Sequence, residues 1–252
     1  MLNKKIKIIT LAVIFAMLSG CATTSTITVV DERDPWENWN RKMHSLNESI
    51  DEVVVKPGAK FYLWLVPGFV DVAVTNVFSN IDDIGVFIND ALQGKFAQSG
   101  LDFSRFLVNT TAGLGGLIDV ATMVDLEKHN EDFGQTLGYW GVPTGPYMVL
   151  PFLGPSSPRG VAGLIGDAAM DPTSYFALYI PGTTFYISAS TFLVHSVDTR
   201  AGLMDAEAMA DEAAAFGKYE FYRDSYISNR QYLVTDGVES EEDDLLLLDD
   251  EE

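Results

Sequence analysis

Residues 133–158 read FGQTLGYWGVPTGPYMVLPFLGPSSP, twenty-six residues without a charged side chain, five of them glycine and five proline. Residues 172–194, PTSYFALYIPGTTFYISASTFLV, form a second uncharged stretch of twenty-three, divided by Pro181-Gly182. Each is long enough to cross a bilayer, which takes about 20 apolar residues in a helix. Neither reads as a spanning helix, because proline and glycine interrupt both. Irregular backbone at membrane depth must be covered by protein or line a watery cavity, or its polar groups go unsatisfied. These segments therefore form either a soluble core or short broken helices lying within a membrane. Composition leaves both readings open.

Upstream, the pattern is helical. Asp34-Pro35-Trp36-Glu37 has the form of a helix start: Asp34 as cap, Pro35 at the first helical position and Glu37 closing a capping box. Apolar residues follow at Trp36, Trp39, Met43, Leu46, Ile50 and Val53, in alternating gaps of three and four. That is a helical stripe, expected to stop before Pro57-Gly58. Further helices are predicted over about 68–79, 81–92, 97–111, 131–140 and 157–169, with a break at Gly113-Leu114-Gly115-Gly116. From Thr183 to about Leu233 the pattern is again helical, with Gly202 and Gly217 as points of bending or division. Tyr147–Phe152, bounded by Pro146 and Pro151, is the one extended candidate. The fold class is mainly α, with one helical domain over residues 34–235.

The N-terminus reads as an export signal. Lys4, Lys5 and Lys7 precede an apolar run from Ile8 to Leu18, too short to span a bilayer but suited to a signal peptide. Leu18-Ser19-Gly20-Cys21 resembles a bacterial lipobox, which makes residues 1–20 a signal peptide, Cys21 the lipidated residue and residues 21–33 a flexible tether. A secretory signal followed by a free thiol is the alternative. Cys21 is the only cysteine, so no internal disulfide can form. Residue 22 is alanine, not the aspartate that resembles an inner-membrane retention signal, and this favours the outer membrane of a Gram-negative bacterium. A singly acylated anchor is marginal, whereas several chains hold durably.

Removal of residues 1–20 takes away three lysines and leaves 13 basic against 36 acidic residues, a net charge of −23. A chain this acidic is not a nucleic-acid binder, which needs a basic face. Ten of the acids lie in residues 236–252, without one basic residue. This tail is expected to be disordered by self-repulsion. Leu245–Leu248 interrupts it, either as a docking motif or without specific role.

The chain shows little that resembles catalytic chemistry. His44, His129 and His195 are far apart, and the pairings with Asp132 and Asp198 bring neither a third ligand nor a nucleophile. Gly154-Pro155-Ser156-Ser157-Pro158 lacks the second glycine of a nucleophile elbow and, with its two prolines, suits a loop. Gly113-Leu114-Gly115-Gly116 has Ile118 where a dinucleotide fingerprint needs glycine. It remains either a phosphate-binding nest or a tight turn between helices. Arg105, with Asn109 and Thr110 about one turn away, either contacts a phosphate or makes structural pairs.

Several blocks in fixed order resemble the MlaA (VacJ) family of outer-membrane lipoproteins. They are Asp34–Arg41; Phe103–Thr110 continuing through Gly113, Gly115 and Gly116 to Ile118-Asp119; and Phe133–Val142 continuing through Gly145-Pro146-Tyr147 to Leu150-Pro151-Phe152. Thr199-Arg200 with Asp205, and Tyr226 with Arg230, are weaker echoes. The resemblance implies a ring-like helical domain embedded in the inner leaflet of the outer membrane. Its amphipathic channel would take mislocalised phospholipid from the outer leaflet and pass it to a soluble periplasmic carrier, in association with a trimeric porin. The family pattern asks for no catalytic residue, metal or cofactor. On this reading Tyr139, Trp140 and Tyr147, with Tyr175, Tyr179 and Tyr186, either set rings at headgroup level or pack in a core. Thr183, Thr184, Ser188, Ser190 and Thr191 offer neutral contacts along a channel wall. Arg105, Asn109, Thr110, Gly113, Gly115 and Gly116 complete the lipid and channel candidates. Residues 56–66, strongly apolar, match the family less clearly, and the acidic tail maps onto no family motif. The runner-up is a structural lipoprotein that scaffolds an envelope complex without moving lipid, and a third reading is a phospholipase with an unrecognised site.

Overall fold

The computed structural model describes residues 31–174, 194–214 and 217–237. The chain divides into two compact units, Met1–Asp31 and Glu32–Glu252, and every element below belongs to the second. The fold is mainly α, as the periodicity requires.

The first helix, α1 (Glu37–Ile50), starts later than its sequence suggests. Its cap position is Trp36, with no side-chain cap bond, so the predicted capping box does not form. Asp34 is buried instead, accepting from the Asn40 amide at 2.7 Å and from the Tyr219 hydroxyl. The helix also fails to stop at Pro57. A π-helical turn (Asp51–Val55) carries it directly into α2 (Lys56–Leu65). Proline lacks an N–H and its ring crowds the carbonyl four residues back. The wider turn, with Lys56 N donating to Asp51 O, resets the ladder so that Pro57 falls in the first turn of α2, where a missing donor costs nothing.

After Val66 and Pro67, both extended, α3 runs from Gly68 to Leu92 as one helix of 25 residues rather than the two expected. Asn80 lies at the predicted break. It does not disturb the backbone, because its amide reaches across to the Thr110 hydroxyl (3.0 Å) instead of competing locally. Gly94, in the left-handed region at φ +79°, turns the chain into α4 (Phe96–Thr111), which packs along α3. A short α5 (Val120–Met123) and α6 (Phe133–Tyr139) follow, capped by Asp119 and Asp132.

The second half of the uncharged stretch forms an antiparallel hairpin. β1 (Met148–Leu150) pairs with β2 (Gly154–Ser156), in the register Met148 to Ser156. The serine segment predicted as a loop is therefore a strand leading into α7 (Pro158–Met170), whose cap is Ser157. Residues 194–202 are helical, followed by α8 (Met204–Ala213) and α9 (Lys218–Val234), so the long C-terminal pattern is divided near Gly202 and Gly217.

The partition of side chains is inverted relative to a soluble domain. The buried apolar residues are few, and the main cluster is Tyr147, Val149 and Tyr219 with Met43, Tyr226 and Ile227 packed around it. Buried polar and charged residues outnumber them, seventeen to seven among the described residues. Meanwhile Trp36, Trp39, Leu46 and Val53, most of the α1 stripe, are exposed. Of the two readings open for Tyr147, headgroup level or core packing, the fold takes the second: it lies in the core, edge-on to Tyr219 and Tyr226.

Candidate functional site

Asn40 and Asn47 lie two turns apart on α1 and fix the hairpin to it. The Asn40 amide donates to Tyr147 O (3.1 Å) and its carbonyl accepts from Val149 N (2.8 Å). Asn47 repeats the pattern with Leu150 O (2.9 Å) and Phe152 N (2.8 Å). Side chains of a helix thus satisfy backbone groups around the outer strand, which would otherwise be unpaired.

A cavity of about 390 Å³ opens between α1, the hairpin, α8 and α9. Val149, Pro155, Leu203, Ala206 and Ala210 give it apolar wall, and a set of ion pairs rims it. Arg200 holds Asp51 with two contacts of 2.7 and 2.8 Å and Glu207 with one of 2.8 Å. Lys56 reaches Glu207 (3.0 Å) and Lys218 reaches Glu48 (2.9 Å). The hydrogen bond to Asp51 holds the Arg200 pKa up, and the Arg200 bond pulls Glu207 below the usual carboxylate range. His44 also lines the cavity, and burial lowers its pKa. Apolar wall with charged rim is the character of a compartment for an amphiphile.

The Arg105 candidates form a structural node. Arg105 is 2% exposed and pairs with Asp119 at 2.7 Å, while donating to Thr122 Oγ1 (3.0 Å) and Leu126 O (2.5 Å). The Asn109 amide donates to Asp119 (3.0 Å), and its carbonyl accepts from Ala121 N (2.9 Å). Burial opposes charge on Asp119, yet bonds from Thr122, Asn109 and Arg105 hold its pKa at about 2. Thr110 accepts from Asn80. The glycine run is not an open nest: Gly113, Gly115 and Gly116 N–H groups donate to Val108, Thr110 and Asn109 carbonyls at the end of α4. Leu114, Gly115 and Gly116 are all left-handed, with φ of 56°, 77° and 92°. At Gly113 a Cβ would meet Ile118 O at 2.2 Å.

The histidines pair differently from their sequence neighbours. His129 contacts buried Asp102 (3.1 Å), not Asp132, which Arg230 grips at 2.9 Å on one oxygen and 2.5 Å on the other. His195 stacks on Phe78 with centroids 4.6 Å apart, and Asp198 accepts from Thr75. Ser157 caps α7 by accepting from Gly160 N (3.0 Å).

The outer surface carries the remaining signal. Trp64 and Phe69 are each 78% exposed at the turn between α2 and α3, beside Phe61 and Leu65. Leu114, Leu117, Met123 and Val124 project from the α4–α5 connection, and Phe152 and Leu153 from the hairpin turn. Tyr139 and Trp140 are exposed at the end of α6. No described helix is long and apolar enough to cross a membrane. Cys21, Tyr175, Tyr179, Thr183, Thr184, Tyr186, Ser188, Ser190, Thr191 and the acidic run beyond residue 237 lie outside the described residues.

The model of the MlaA lipoprotein family matches residues 32–233, most of the chain. The chain belongs to the MlaA lipoprotein family. It is 36% identical to the intermembrane phospholipid transport system lipoprotein MlaA of Haemophilus influenzae, over 96% of this chain and 98% of that protein. The MlaA of Escherichia coli is 30% identical, over 92% and 90%. A solved structure concerned with maintenance of bacterial outer membrane lipid asymmetry superposes with a TM-score of 0.68 at 31% identity, over 80% of this chain and 98% of that one.

Within this MlaA-family fold, three structural contacts are not legible in the sequence. Asn40 sits inside the Asp34–Arg41 block, where the tryptophans dominate the pattern. Arg159 and Asp167 have no local partner to betray them. Gly163 meets α6 so closely that a Cβ would sit 2.8 Å from Gly134 N. The spacing of Gly160, Gly163 and Gly166 is the available signal for that contact.

Proposed function

We propose that this chain is the outer-membrane lipoprotein of an intermembrane phospholipid transport system. It takes phospholipid misplaced in the outer leaflet, passes it through an amphipathic channel and delivers it to a soluble periplasmic carrier, so preserving lipid asymmetry. The observation that carries the reading is the inverted partition: polar side chains buried, large apolar ones exposed, in a chain 36% identical to a phospholipid transport lipoprotein. Exposed Trp64 and Phe69 are unfavourable in water, whereas against acyl chains they are at home. Buried, paired polar groups keep such a fold specific when apolar burial cannot.

In this reading Cys21 carries the acyl chains, and the protein sits in the periplasmic leaflet beside a trimeric porin. Tyr139 and Trp140 mark headgroup depth. Thr183, Thr184, Ser188 and Thr191 are the candidates for the channel wall. Arg105, Asn109, Thr110 and the glycine run hold the neighbouring loop in shape. The protein moves lipid without cleaving it: Ser156, the serine at the G-x-S position, is buried in β2 with its hydroxyl turned to Ser157 O (3.5 Å), and Ser157 caps α7.

The test is deletion of the gene with complementation. Phospholipid accessible to an added phospholipase on intact cells should rise on deletion, with greater sensitivity to detergent plus EDTA, and return on complementation. An unchanged surface phospholipid level sinks the transport reading. Release of fatty acid by the purified protein would restore the enzyme reading.

A further inference from the structure

A second cavity, of about 650 Å³, lies between the segment entering α1, the turn at Thr144–Tyr147, the start of α7 and the last turns of α9. Its residues are distinct from those of the Arg200 cavity. In a chain with net charge −20, its lining carries two arginines, Arg33 and Arg159, against one acid, the exposed Glu32.

Arg159 is 7% exposed and donates from Nη1 to Val142 O (3.1 Å). Among the described residues no carboxylate lies within ion-pair distance of it. The other well-covered arginines have such a partner: Arg105 has Asp119, Arg200 has Asp51 and Arg230 has Asp132. A buried guanidinium without an anion is costly. The nearby acids are committed elsewhere, Asp132 to Arg230 and Asp34 to Asn40 and Tyr219. Burial, then the neighbouring Arg230, depress the Arg159 pKa by more than Tyr226 and Asp132 raise it.

Tyr147 lines the same cavity, is 2% exposed, and its hydroxyl has no hydrogen-bond partner among the described residues. Buried hydroxyls are normally satisfied. Ser157 and Arg159 bring the N-terminal end of the 13-residue α7 to the lining, so the positive end of its dipole adds to the guanidinium. Pro146, Ile227 and Val234 provide apolar wall. An unpaired guanidinium, an unpaired hydroxyl donor and a helix N-terminus beside apolar surface match an anion attached to an apolar body. A guanidinium also suits tetrahedral phosphate oxygens in geometry as well as charge.

We propose that this cavity binds phosphate, as the phosphodiester of a phospholipid headgroup, with Arg159 pairing to the non-bridging oxygens and the Tyr147 hydroxyl donating to one of them. The headgroup as source rests on the transport function proposed for the chain; inorganic phosphate would use the same groups.

Full-length protein in detergent is titrated calorimetrically with dihexanoyl phosphatidylglycerol and, separately, with inorganic phosphate. Wild type should bind the short-chain lipid. Arg159→Ala should weaken that binding by about tenfold or more, in line with loss of a charge-assisted pair, and Arg159→Lys by less. Tyr147→Phe should weaken binding a few-fold while leaving Tm unchanged or raised, because the hydroxyl it removes has no partner in the fold. A merely structural tyrosine would lower Tm instead. Binding of inorganic phosphate as tight as that of lipid, with the same Arg159 dependence, keeps the site and removes the headgroup as its occupant. Lipid binding that neither Arg159→Ala nor Tyr147→Phe alters overturns the site and leaves the transport reading intact. No binding of either probe by wild type also overturns it. If Arg159→Ala does not fold, Tyr147→Phe decides.

Discussion

Asn40 has no exposed surface and joins three parts of the fold: Asp34, Tyr147 O and Val149 N. Asn40→Ala strips all three of a partner where water does not replace it, so a loss of about 2–4 kcal/mol in unfolding free energy is expected from denaturant titration. A change below about 1 kcal/mol would mean that the hairpin is held by other contacts. Asp90 gives a pH-dependent expectation. It has no exposed surface, and burial, then its hydrogen bond with Asp102, pushes its pKa up to about 8. An acid held neutral in the fold but ionised when unfolded, near pH 3.9, binds more protons in the native state. Its contribution is therefore full below about pH 4 and is lost as pH rises toward 8. Asp90→Asn keeps a neutral donor facing Asp102, and should flatten the fall in Tm between about pH 4 and 8. An unchanged slope would place the proton elsewhere.

At the scale of elements, Trp64 and Phe69 put the most exposed aromatic pair of the described surface at the α2–α3 turn, which is the expected membrane contact. Trp64 and Phe69 contribute to the surface and little to the interior, so Trp64→Ser with Phe69→Ser should leave Tm within about 1 °C. Co-flotation of the protein with phospholipid vesicles should fall several-fold, since each aromatic contributes roughly 1.5–3 kcal/mol when transferred from water. Unaltered flotation with both residues replaced would move the contact to the Leu114–Val124 loop or the hairpin turn. The same elements show how local sequence rules are overridden. Pro57 signals a helix end, but the π turn absorbs it within a continuous helical run. Asn80 signals a break, but its cross-helix bond to Thr110 keeps α3 whole. The preference lost at Asn80 is about a kcal/mol or less, within reach of one tertiary hydrogen bond, whereas the roughly 3 kcal/mol of a helix-interior proline is avoided by seating Pro57 in the first turn of α2.

For the whole molecule, the acyl anchor proposed at Cys21 and the exposed apolar surface predict two independent membrane contacts. Cys21→Ser should abolish incorporation of labelled fatty acid and mislocalise the protein, yet the purified variant should still need detergent to remain dispersed. Labelled acyl chain on that variant would refute the anchor assignment, and a freely soluble variant would refute the second contact. The mainly α class, most helix positions and the family are legible in the sequence, because periodicity, breakers and ordered motif blocks are local features that survive without coordinates. The sequence also marks Arg105, Asn109 and the glycine run as a unit, leaving open whether they hold a phosphate or each other. In the folded chain Arg105 and Asn109 meet on Asp119, and the glycine N–H groups close on carbonyls at the end of α4. There, too, most of the apolar stripe of α1 faces outward while Asn40 and Asn47 face the hairpin, Tyr147 joins the core, and Arg159 is buried with no counter-charge among the described residues. A helical stripe has the same period whether it faces protein or lipid, and a side chain's partner can lie a hundred residues away. Which side is inside depends on what the chain packs against, and only the assembled fold holds that information.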